Sequence, residues 1–320
     1  MIMLRKAVLA AAIAAATGAA EAQTLSIGTS PVGTLNYSVG NALGKVMTDT
    51  AGLRARVVPF GGGQQILPLI GKNELELAIS TATDTLYALQ GKEDFNGNPS
   101  PTLRVIGKVF PFSIGWFVRK DAPYKSLTDL KGKKIAVGFT ANSAQLRFFR
   151  AGFAVYGVTE KDFDGVPVPH VVRGADDFMQ GKIEASTFAV GAGKIAEANV
   201  KVGGLRFLDT PDTPEALARL RTVLPRGSVQ TLNPAPEFAG IVAPTKLVFE
   251  DYQVVGGTQI SDADAYKIAK ILYEEQDKLA AIAKTFSRYD RADLAADRSV
   301  PFHPGAIKYY REKGIWRDRP

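Results

Sequence analysis

Leu103-Arg104-Val105-Ile106-Gly107-Lys108-Val109-Phe110-Pro111-Phe112-Ser113-Ile114-Gly115-Trp116-Phe117-Val118 is unusually rich in apolar and aromatic residues, and Pro111 stands in its middle. A proline cannot donate to a β-ladder, so it is poorly suited to the interior of one sheet. A long strand broken in this way fits a crossing between two lobes. On both sides of it the chain alternates strand and helix. Before it, strands are expected at 25–28, 55–59 and 75–80, with helices at 37–47 and 64–70. After it, strands are expected at 135–138, 166–172, 183–188 and 205–208, with helices at 143–153, 175–180 and 192–200. Such alternation indicates parallel sheets built from βαβ units. A Pro-rich stretch at 231–236 precedes a second extended run, 238–248, which reads as the return crossing. The remainder is helical, at 262–283 and 304–313. The expected fold is therefore α/β and two-lobed, with a ligand cleft at the interface. The expected divisions are 1–22, 23–112 and 113–236, with 237–320 completing the first lobe, and hinges near 110–113 and 236–240.

The amino terminus sets the compartment. Arg5 and Lys6 precede an alanine-rich apolar stretch, and Ala20-Glu21-Ala22 supplies small residues just before Gln23. This is the order of a secretory signal peptide, too short in its apolar part to span a bilayer. The expected mature chain begins at Gln23 and is periplasmic. There is no cysteine, which excludes disulfides, thiol chemistry and cysteine-zinc sites. The formal charge is +7, and two cations and one anion leave with the leader, giving +6. The basic residues form no stripe with interleaved aromatics, so nucleic acid is not an expected partner.

In open α/β sheets ligands sit beyond the carboxyl ends of the strands. Three such ends carry polar residues. Thr29, Ser30, Thr34, Asn36 and Tyr37 follow the first strand. Gly62, Gly63 and Gln64 follow the second, and Ser80, Thr81, Thr83 and Asp84 end the third. In the second lobe, Phe139, Thr140, Asn142 and Ser143 lead into a helix whose first N–H groups and dipole favour an anion. Each of these hydroxyls and amides also suits plain helix capping. Gly191-Ala192-Gly193-Lys194-Ile195-Ala196 has the spacing of a dinucleotide fingerprint, but it lies late in the second lobe. Gly191 is kept as a cleft residue, and no cofactor or metal is expected. His170 and His303 sit in no catalytic motif. Asp84 is the ambiguous residue: facing the cleft, it would pair an ammonium and indicate an amino acid.

Several segments, in order, carry a family resemblance. They are Ile27-Gly28-Thr29 with Gly33 and Tyr37-Ser38-Val39-Gly40; residues 75–83; Val118-Arg119-Lys120; residues 127–138, ending Lys134-Ile135-Ala136-Val137-Gly138; Gly181-Lys182-Ile183-Glu184-Ala185; and Pro301-Phe302-His303-Pro304-Gly305-Ala306 with Tyr309-Tyr310. With these the chain resembles the solute-binding subunits of tripartite ATP-independent periplasmic (TRAP) transporters of the TAXI group. The resemblance implies a type II periplasmic binding-protein fold with two crossings. It also implies docking to membrane subunits driven by an ion gradient, in which the lobes close on a small organic carboxylate or amino acid. The expected state is a monomer without catalytic activity. The family often has Gly-Ser-Gly-Thr where this chain has Thr140-Ala141-Asn142-Ser143, and Gly-Ser-x-Glu-Asn near Gly62-Gly63-Gln64-Gln65. Two other functions use the same fold: an enzyme of the pyrimidine-precursor type, and a ligand-presenting signalling protein.

Overall fold

The computed structural model describes residues 24–141, 143–296 and 299–316, so the expected leader lies outside it. The first half of the first lobe runs β1 (Leu25–Thr29), α1 (Leu35–Ala51), β2 (Ala55–Pro59), α2 (Gly63–Gly71), β3 (Leu77–Thr81) and α3 (Ala82–Gln90). β1 lies between β2 and β3 in parallel register, with Ile27 opposite both Val57 and Leu77. A strand covered on both faces and both edges is buried throughout, and every residue of β1 is, Ser26 and Thr29 included. α1 starts at Thr34, whose hydroxyl accepts the Tyr37 N–H, and stops at Gly52 in the left-handed region. Gly40 lets α1 lie close on the sheet, because a Cβ there would come 2.4 Å from Thr29 Cγ2.

β4 (Leu103–Arg119) then leads into the second lobe. That lobe comprises β5 (Lys134–Gly138), α4 (Ser143–Tyr156), β6 (Asp164–Val168), α5 (Val171–Met179), β7 (Ser186–Ala189), α6 (Gly193–Lys201), β8 (Leu205–Phe207), α7 (Pro214–Val223) and β9 (Ser228–Leu232). β10 (Thr245–Gly257) returns to the first lobe, followed by α8 (Asp262–Glu274), α9 (Gln276–Ile282) and α10 (Pro304–Glu312).

β4 and β10 pair with each other and serve both lobes. The far end of β10 joins β3, while its first half takes β9, with Thr245 opposite Leu232. The far half of β4 takes β7 and β8. β5 and β6 pair in parallel and connect to the rest through a bridge between Ile135 and Ala185. The ladder between β4 and β10 is irregular where the lobes meet. Asp251 stands opposite Pro111, and two residues later Gln253 stands opposite Lys108. A missing N–H and an extra residue there bend the pair at the expected crossing.

The return crossing lies later than expected. Residues 238–248 are not one extended run. Pro236, Gly240 (φ +86°) and Pro244 keep 235–244 in turns, and the strand begins at Thr245. The strand expected at 166–172 ends at Val168, because Pro169 follows and His170 caps α5, its Nδ1 accepting the Arg173 N–H at 3.2 Å. The helix expected over 262–283 is two helices that meet at Glu275.

The Pro-x-His-Pro-Gly-Ala segment has a structural role. His303 caps α10 with Nδ1 toward the Gly305 N–H, and Nε2 lies 3.0 Å from the Ile260 carbonyl. The Tyr310 hydroxyl donates to the Ile106 carbonyl at 2.9 Å. These bonds tie the C-terminal helix to β4. Among the described residues no helix is long and apolar enough to cross a membrane.

Candidate functional site

A cavity lies between the lobes, against the inner face of the crossing strands. Phe112, opposite Glu250 in the ladder, and Tyr252 project to this face, and their rings stack 4.6 Å apart at 11°. Phe148 from α4 meets Phe112 edge-on at 5.1 Å, and Phe188 from β7 closes a further side. The cavity has a volume of about 60 Å³, room for several waters and the scale of a small organic molecule.

Helix starts ring this cavity. Thr34, Leu35 and Asn36 open α1, Gly63 opens α2, and Thr81 caps α3. Ala144 and Gln145 lie in the first turn of α4, and His170 and Val171 start α5. The first N–H groups of a helix lack intrahelical partners and carry the positive end of its dipole. Five such ends meet around one small space, with part of their N–H groups capped by Thr34, Thr81 and His170, and among the described residues no Lys or Arg lines it.

Of the residues expected in the cleft, Ser30, Thr34, Asn36, Gly63, Ser80, Thr81 and Asp84 line it. Several are already engaged. The Thr34 hydroxyl donates to the Pro31 carbonyl at 2.7 Å. Asn36 accepts from the Ser30 N–H at 2.9 Å and donates to the Ile79 carbonyl at 2.9 Å, so it staples the first loop to β3. The Thr81 hydroxyl accepts the Asp84 N–H at 3.1 Å.

The other expected residues do not line the cavity. Thr29 is buried beneath Gly40. Tyr37 lies in the first turn of α1, its N–H capped by Thr34, but is not among the lining residues. Thr83 is buried behind the cavity, where its N–H donates to Glu250 Oε1 at 2.8 Å. Phe139 holds a left-handed backbone and packs on Phe149, while Thr140 is exposed. Gly191, also left-handed, lies against Phe238. Asn142 and the side chain of Ser143 lie outside the described residues.

Two expected loops form the rim where the lobes touch. Gly62 leads into α2, and Gln64 Nε2 donates to the Ala141 carbonyl of the opposite lobe at 2.8 Å. The Lys194 N–H, in the first turn of α6, donates to the Gly33 carbonyl at 3.2 Å. The glycine-spaced start of α6 thus meets the first lobe.

A charged contact joins the lobes beside the cavity. Arg147 of α4 pairs with Asp84 and with Asp94 of the first lobe, and its guanidinium lies 5.0 Å from the Tyr87 ring centre. Asp84 is 2% exposed and Arg147 8%, so this pair is largely removed from water. Burial pushes the Asp84 carboxyl up, with Arg147 opposing. Burial also works against the Arg147 charge, but Asp84 and Asp94 outweigh it, so its pKa is raised. Gly63 permits the approach: a Cβ there would come 2.9 Å from Asp84 Oδ2. Behind Asp84, Glu250 is fully buried, and desolvation lifts its carboxyl to about 7. Sequence reasoning missed Arg147, Gln145, His170 and Glu250. Only His170 gave a local signal, as a capping residue after Pro169.

A profile of one protein family matches residues 27–314. This chain belongs to the NMT1-like family. Solved structures place this NMT1-like protein's fold among periplasmic binding proteins. It is similar to PhnD1 of Prochlorococcus marinus in complex with methylphosphonate, at 12% identity and TM-score 0.56, covering 92% of this chain and 100% of that one. A structure described as a periplasmic transporter matches at 14% identity and TM-score 0.56, covering 93% and 95%. A binding-protein component of an ABC phosphonate transporter from Pseudomonas aeruginosa matches at 11% and TM-score 0.50, covering 84% and 80%. At these identities the likeness establishes the two-lobed α/β fold of this NMT1-like chain and no ligand.

Proposed function

We propose that this protein is an extracytoplasmic solute-binding subunit that closes its lobes on a small organic anion, a carboxylate, and delivers it to the membrane subunits of a TRAP transporter of the TAXI group. The cavity carries the reading: five helix starts surround a space about the size of a small metabolite, and among the described residues no Lys or Arg lines it. Helix N-termini bind anions through N–H groups and dipole without adding a formal charge. Within the ring, α4 is the proposed anchor, with Asn142 and Ser143 beside Ala144 and Gln145. The expected leader supports a periplasmic location, and the protein is proposed to be a monomer that binds without turnover. The lobes are proposed to open and close about 110–113 and the adjoining residues of β10.

A second reading has its own support. The PhnD1 structure of similar fold holds methylphosphonate, and a ring of helix starts suits a tetrahedral anion as well as a planar one. A thermal-shift screen distinguishes them. Organic acids, phosphonates, sulfonates, amino acids, sugars and polyamines are tested together. A ligand at 100 times its Kd stabilises the native state by about 2.7 kcal/mol, a readable shift. Carboxylate hits support the proposal, and hits confined to phosphonates or sulfonates move it to the second reading. Hits confined to sugars or polyamines refute both.

A further inference from the structure

We infer that the cavity selects a compact monoanion with an apolar body, and discriminates against amino acids and dicarboxylates. The inference rests on the anion-binding reading and narrows it. A zwitterionic amino acid needs a carboxylate to receive its ammonium, and the acid lining the cavity is Asp84. Asp84 is held by Arg147 from the opposite lobe, and Arg147 is held in turn by Asp94. Glu250 stands behind Thr83 rather than on the wall, and it accepts the Thr83 N–H. The described lining therefore offers no uncommitted negative charge to an ammonium. A dicarboxylate meets the complementary problem. Its first carboxylate can take one helix start, but its second must either displace the caps that Thr34, Thr81 and His170 already supply to other starts or lie against Ile66, Ile79, Phe112, Phe148, Val171 and Phe188. Those residues are apolar, and burying an unpaired charge against them is costly. An aliphatic body has the opposite preference, since each methylene taken from water is favourable.

Isothermal titration with matched probes tests this. The monoanions are 3-methylbutanoate, 4-methylpentanoate and methylphosphonate. Valine and leucine add an ammonium to the carboxylates, and methylsuccinate adds a second carboxylate. The expected result is that one of the monoanions binds at least tenfold more tightly than valine, leucine and methylsuccinate. If an amino acid or methylsuccinate binds most tightly, the selectivity is overturned while the anion-binding reading stands. If none of the monoanions binds, the inference fails. If the thermal-shift screen gives only sugars or polyamines, both fail. An Arg147→Gln variant supplies a second readout. Releasing Asp84 into the cavity should raise the affinity of valine relative to 3-methylbutanoate at least tenfold. Taking the ratio cancels any common loss from weakened closure. An unchanged ratio overturns the assignment of Asp84 as a neutralised wall residue.

Discussion

Arg147 and Asp84 form an ion pair between the lobes: the guanidinium comes from α4 of the second lobe and the carboxylate from α3 of the first. With Asp94 on the other side of the guanidinium and Tyr87 beneath it, this cluster exists only while the lobes are together. Opening returns each charge to water. The pair therefore belongs to the closed state and biases closure, rather than stabilising either lobe alone.

Arg147→Met should weaken ligand binding by about 10- to 100-fold, or roughly 1.4–2.8 kcal/mol. The closed form would then bury Asp84 without its cation, and the protein relieves that by staying open. Adding Asp84→Asn should recover part of the loss, which a double-mutant cycle by titration calorimetry measures. Equal affinity of Arg147→Met and wild type would remove the pair from closure.

Glu250 sets a pH dependence of stability. Its folded-state carboxyl is raised from 4.5 to about 7 by burial, with Asp84 adding to the rise and the Thr83 contact and Arg147 opposing it. A raised acid favours the folded form below its unfolded pKa, and this contribution is lost as pH rises through about 7. The size is on the order of 3 kcal/mol. Glu250→Gln keeps an acceptor for the Thr83 N–H and removes the titration. The variant should gain melting temperature over wild type at pH 8 and little at pH 5. A constant difference across that range contradicts the assignment.

Gln64→Ala removes the rim bond to the Ala141 carbonyl. One such bond is worth about 0.5–1.5 kcal/mol, so affinity should fall about 2- to 10-fold with the unliganded melting temperature unchanged. A lower unliganded melting temperature would mean the bond stabilises a lobe instead.

The bend between Pro111 and Asp251 should act as the hinge, and we place the lobe boundary there rather than at 236–237. β9 pairs with the first half of β10, so 245–249 moves with the second lobe. Scattering at saturating ligand should show a smaller radius of gyration. An unchanged radius, with binding confirmed by calorimetry, rules out closure about this bend.

Much of the fold was legible because it is local. Pro111 marked the crossing, and alternating apolar strands and helices marked the parallel sheets. The later crossing was misplaced because the apolar content of 238–248 outweighed Pro236, Gly240 and Pro244, which hold the chain in turns. The candidate site was legible in the strand ends of the first lobe: seven expected residues line the cavity. Hydroxyl and amide side chains look alike whether they bind a solute or cap a helix, so Thr34 and Asn36 could not be separated from caps. Arg147 and Glu250 were invisible for another reason. Each meets Asp84 or its helix only through tertiary folding, with Arg147 lying 63 positions along the chain from Asp84.

The native mass spectrum of freshly purified exported protein tests the central claim most directly. The account predicts one small molecule per chain, released as an anion on denaturation. That molecule should be lost from an Ala189→Phe variant, whose added ring fills the cavity. A retained neutral sugar or polyamine, or the same molecule held equally by Ala189→Phe, would contradict it.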